Sequence, residues 1–77
     1  MLEKIKASLA DMLGVDADSI TLDTNFKEDL GASSLDLMEL VTNLEDEYSI
    51  EVPVEEYENL TTVGKVIDYM KRIGIED

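Results

Sequence analysis

The residues best suited to chemistry in this 77-residue chain are the two adjacent serines of "LGASSLDLMEL", residues 30–40. A serine hydroxyl attacks only when a neighbouring base takes its proton or another enzyme activates it. The chain has no histidine and no cysteine. That removes the serine–histidine relay, thiolate nucleophiles, disulfides and most zinc sites together. Carboxylates are plentiful, but acid–base catalysis needs one of them sheltered in a cleft at a raised pKa. A short chain without a groove-forming sheet shelters little, so an enzyme is the least favoured reading. The best calcium-loop candidate, "DADSITLDTNFK" from Asp16, also fails. Ile20 takes a ligand position, Thr21 the glycine position, and Lys27 the place of the bidentate acid.

The two serines divide the work of a helix start. Ser33 precedes an apolar run with helical spacing, and Asp36 follows three residues on, which is the pattern of a capping box with a short acid. Gly31 permits a sharp approach of the chain. Ser34 then falls in the first turn, facing solvent at the positive end of a helix, a favourable place for a phosphate. Most serines so placed have no further role.

These side chains need a scaffold to position them. Leu2, Ile5, Leu9, Met12 and Leu13 recur at spacings of three and four, which predicts a helix over 2–13, with Gly14 at its left-handed end. Residues 15–32 form a long connection that Val15, Ile20, Leu22, Phe26 and Leu30 can pin to a core. Asp18 or Ser19 can start a short turn there, and no sheet is expected. On a helical wheel of residues 34–48, Leu37, Leu40, Val41, Leu44 and Tyr48 share one arc, with Met38 at its edge. Asp36, Glu39, Asn43, Asp46 and Glu47 lie opposite, and so does Leu35. An isolated exposed leucine is ordinary. Leu35 beside Met38 and ringed by carboxylates also resembles the apolar centre and charged rim of a binding site. Pro53 suits the first position of a short helix, "PVEEYEN". Thr61 or Thr62 caps a last helix to about Ile73, with Val63, Val66, Ile67 and Met70 inward, and Gly74 ends it. The expected architecture is all-α: a four-helix bundle of three longer helices and one short one, with a long loop between the first two. It occupies one domain, 1–77.

Charge narrows the partners. Nineteen acids oppose six bases, for a net charge of −13, so nucleic acid is excluded as a partner. From Glu28 to Gly64 there are eleven acids and no base. Such a surface keeps a small protein soluble, or it steers basic partners to the middle of the chain. No apolar run is long enough for membrane insertion, and the opening segment lacks a signal-peptide core. A soluble, cytoplasmic monomer is expected.

"DLGASSLDLMEL" resembles the Asp-Leu-Gly-Ala-Asp-Ser-Leu-Asp signature of bacterial acyl carrier proteins. "LGVDADSIT", "NFKEDLGA", "LEDEYSIEVP" and "LTTVGKVIDYM" resemble that family in order and spacing, over nearly the whole chain. The resemblance implies a non-enzymatic carrier of growing acyl chains in fatty acid biosynthesis, whose motif serine holds 4′-phosphopantetheine through a phosphodiester; the matching position is Ser34. The group comes from coenzyme A by the action of a phosphopantetheinyl transferase, and its thiol carries acyl chains as thioesters. The resemblance further implies docking of basic patches, those of fatty acid synthase enzymes above all, on the second helix. The matching residues are Leu35, Asp36, Met38, Glu39, Glu45 and Asp46. One departure is Ser33, where the family usually has Asp. It keeps a cap but removes a negative charge, and it leaves room for a specialised carrier of polyketide, aminoacyl or D-alanyl units. An acidic interaction module is the alternative of another class.

Overall fold

The computed structural model describes residues 1–75. Three α-helices span Leu2–Leu13 (α1), Ser34–Tyr48 (α2) and Val63–Arg72 (α3). A 3-10 turn, Ala17–Ser19, and a short 3-10 helix, Val54–Asn59, complete the helical elements, and no strand is present among the described residues. The long connection runs between α1 and α2 as expected.

Each helix buries the stripe that its spacing predicts. Ile5 and Leu9 of α1, Leu40, Val41 and Leu44 of α2, and Val63, Val66, Ile67 and Met70 of α3 form the core. Leu2, Met12, Leu13, Leu37 and Tyr48 pack around it, partly exposed. The ends follow local chemistry. Gly14 closes α1 at φ 70° and donates its N–H to the Ala10 carbonyl. Thr62, of the two candidate threonines, caps α3 by accepting from the Lys65 N–H at 3.2 Å. Lys4 reaches across from α1 to the Glu47 carboxylate and lies over the Tyr48 ring, 5.2 Å from its centroid.

Three details differ from expectation. The turn in the long connection starts at Ala17 rather than at Asp18 or Ser19, because Asp16 Oδ1 caps it by accepting the Asp18 N–H at 3.0 Å. Pro53 stands just before the short helix rather than inside it. That helix winds as 3-10, with i to i+3 bonds such as Leu60 N–H to the Tyr57 carbonyl. It has no buried stripe of its own to hold a wider α-turn, and Val54 is 70% exposed. Leu22, expected to pin the long connection, is 50% exposed. Its backbone pins the loop instead: the Leu22 carbonyl accepts the Gly64 N–H at 2.8 Å, beside Val63 N–H to Thr24 and Phe26 N–H to Thr61. An isolated antiparallel bridge joins Asn25 to Thr62. Ile20 and Phe26, each 2% exposed, and Ala32 enter the core from the loop.

This stitching demands glycine at position 64, where an added Cβ would lie 2.9 Å from the Leu22 carbonyl oxygen. Gly64→Ala is expected to lower the unfolding free energy by about 1 kcal/mol or more in a urea titration, even though alanine is the better helix former. An unchanged or higher midpoint would show that the loop yields without cost.

Candidate functional site

The start of α2 resolves the roles of the two serines. The Ser33 hydroxyl accepts from the Asp36 N–H at 3.2 Å and lies 3.2 Å from Asp36 Oδ2, to which it donates. Asp36 Oδ2 in turn accepts the Ser33 N–H at 2.9 Å, which completes the capping box. Asp36 is long enough for this because one of its oxygens serves both Ser33 donors. Ser34 follows as the first helical residue and is exposed. Its hydroxyl has no hydrogen-bond partner among the described residues. No side chain is therefore poised to take its proton, and activation must come from outside the chain.

The approach to α2 is rigid. Asn25 Oδ1 accepts the N–H groups of Lys27 and Glu28, both at 2.9 Å. Asp29 Oδ2 accepts the Asn25 N–H at 2.7 Å. Ala32 N–H donates to the Phe26 carbonyl at 2.8 Å, and Gly31, at φ 64°, makes the bend between them. Ser34 is thus presented on a fixed turn and at a helix end.

Beside it opens a cleft of about 630 Å³. Leu37 and Met38 of α2, Phe26 and Leu60 from the loops, and Val54 and Tyr57 of the 3-10 helix form its apolar lining. Ser33, Ser34, Lys27, Glu28, Glu58 and Thr61 lie among its polar groups. Burial, then the Glu45 carboxylate, pushes the Tyr57 phenol above its ordinary pKa. On the wheel of α2, Leu37 lies in the core arc and Met38 at its edge, and both line the cleft, whereas Leu35 does not. Val54 and Tyr57, three apart among the acids of "PVEEYEN", carried a usable signal: two apolar side chains on one face of a short helix.

The six residues matched to a docking face separate into two kinds. Leu35 is 74% and Met38 44% exposed, and Glu39 and Asp46 are exposed. Asp36 is tied into the capping box. Glu45 turns toward the chain after α2, where Oε2 accepts the Val52 N–H at 2.7 Å. That bond fixes the segment leading to the 3-10 helix and hence one wall of the cleft. Among the described residues no group of three or more acids is arranged to hold a metal ion. No helix among them is long and apolar enough to cross a membrane.

Comparison with known proteins agrees with this geometry. A family model described as a phosphopantetheine attachment site matches residues 3–70. Among solved structures, the chain is similar to the acyl carrier protein from Enterococcus faecalis, with 38% sequence identity and a TM-score of 0.76. The match covers 90% of this chain and 87% of that one.

Proposed function

This chain belongs to the phosphopantetheine attachment-site family, as a carrier of the acyl-carrier-protein type, and from that premise we propose that Ser34 bears the arm and that the cargo is the growing acyl chain of fatty acid biosynthesis. Members of the family are carriers rather than enzymes, and the group they hold is covalent 4′-phosphopantetheine. The observation that carries the assignment is the unengaged, exposed Ser34 hydroxyl at the α2 start, on the edge of an apolar cleft.

The residues present fit the group. The first turn of α2 leaves backbone N–H groups facing out beside Ser34, a suitable setting for a phosphodiester. When bound, the arm supplies a thiol, which this cysteine-free chain lacks, and holds acyl groups there as thioesters. The chain's own part is to present Ser34, to offer Phe26, Leu37, Met38, Val54 and Leu60 to an apolar chain, and to keep Thr61 and the neutral Tyr57 hydroxyl at the lining as hydrogen-bond partners.

A phosphopantetheinyl transferase and basic synthase enzymes are the partners in this reading, with the cytoplasm as the compartment. Leu35 and Met38 give the docking face its apolar centre, while Glu39 and Asp46 provide long-range attraction. Exposed ion pairs add little affinity each but raise encounter rates, which suits a carrier that must leave every partner quickly. Loading trials test the cargo. Malonyl transfer from a fatty-acid-type transferase is expected; acceptance of amino acids from an activating enzyme in its place would overturn the pathway but leave the carrier.

A further inference from the structure

Lys27 stands out against the charge pattern around Ser34. It immediately precedes the stretch of eleven acids without a base, and Ser34 lies within that stretch. Its main chain is held at both ends of the residue: the N–H donates to Asn25 Oδ1 at 2.9 Å, and the carbonyl accepts the Gly31 N–H at 3.1 Å. Lys27 lines the same cleft as Ser34 and is the only cationic residue that does so among the described residues. No carboxylate of the described residues pairs with its ammonium.

An anion attached to Ser34 enters a difficult neighbourhood. Glu28 and Glu58 line the cleft, and Asp36 sits two residues along α2. The helix end offers partial positive charge over a single turn. A full charge on a flexible stem, rooted in a fixed turn, complements a phosphodiester monoanion better, and it need not break an existing pair to do so.

We propose that Lys27 is the counter-cation of the phosphodiester on Ser34, a positioning residue that holds the root of the arm at the cleft. The proposal rests on Ser34 as the attachment point. Lys27 adds no step to thioester chemistry. It biases the arm's first atoms toward the cleft and away from the acidic face of α2.

The test compares apo and fully loaded protein, with loading driven to completion by excess transferase and checked by mass. In the parent protein, the Lys27 side-chain nitrogen resonance is expected to shift on loading and to return toward its apo value in high salt. In loaded Lys27→Gln, the phosphorus-31 resonance is expected to move toward that of a free phosphodiester, whereas Lys27→Arg keeps the parent value. The melting temperature of the loaded form relative to its apo form should drop in Lys27→Gln and drop further in Lys27→Glu. A Lys27 resonance unmoved by loading overturns the proposal without recourse to any variant. So do phosphorus signals and loaded-minus-apo melting differences that are the same in the parent, Lys27→Gln and Lys27→Glu. A parent protein that gains no mass, or gains it elsewhere, refutes the attachment at Ser34 instead, so the two failures are distinguishable.

Discussion

Ser34→Ala is expected to abolish arm attachment completely while leaving the fold intact. In the parent protein, coenzyme A and a phosphopantetheinyl transferase should add the mass of one phosphopantetheine. In the variant they should add nothing, because the side-chain hydroxyl at that position is gone and no second serine is equivalent. Ser33 is adjacent but engaged: its hydroxyl holds Asp36 and closes the helix end. Ser33→Ala should therefore show the converse behaviour. It keeps an acceptor for the arm and loses about 1 kcal/mol of stability with its cap. Ser34→Ala should unfold at or slightly above the parent midpoint, since its hydroxyl bonds nothing in the fold and alanine favours helix. Mass spectrometry and denaturant titration on the two variants read both properties. An arm found on Ser34→Ala would move the site, most simply to Ser33.

The second large effect concerns neighbours on α2 that look alike in sequence. Reversing Glu39 and Asp46 to lysine is expected to slow association with a basic partner about tenfold or more at low salt, with the difference shrinking as salt is added. Both carboxylates are exposed, and neither takes part in a hydrogen bond or ion pair seen in the structure, so stability should change by less than about 0.5 kcal/mol. Glu45→Ala should do the opposite. It strips the Val52 N–H of a 2.7 Å charge-assisted bond and is expected to cost about 1–3 kcal/mol. It should also lower the Tyr57 pKa part of the way toward the ordinary phenol value. The Glu45 charge disfavours the phenolate, while burial, the larger cause of the shift, remains. Stopped-flow binding, urea titration and an NMR titration of the assigned Tyr57 ring distinguish the two behaviours. Equal losses of rate and stability in both variants would show that the face is not divided in this way.

Much of this arrangement is legible in the sequence where the interactions are local. Ser33 and Asp36 are three apart, the separation at which a cap forms, and the box follows from helix geometry alone. The same holds for Gly14 and for the stripes of Ile5–Leu9 and Leu40–Leu44, which spacing aligns before any tertiary contact exists, while the cap of α3 is legible only as one of two threonines. Legibility ends where distant segments meet. Leu22 reads as an anchoring side chain because it alternates with Ile20, yet its carbonyl does the anchoring, through Gly64 more than forty residues away. Glu45 enters the docking face through the resemblance alone, and its bond to Val52 is not legible because it depends on how the chain turns after Tyr48. The cleft as a whole is not legible for the same reason, although Val54 and Tyr57 signal one of its walls. Its lining comes from four segments, and no periodicity within any one of them describes the space between.

The tethering of Asp36 and Glu45 has an evolutionary corollary. Both acids share a helix with the residues proposed to meet other proteins, yet replacing either one is expected to injure the scaffold itself. A lineage that diverges toward new enzymes is confined to the unattached positions, Leu35, Met38, Glu39 and Asp46. Paralogues of this carrier should differ in their associates through those four sites, and substitutions at the two anchored ones should survive only with compensating changes at Ser33 or in the stretch around Val52.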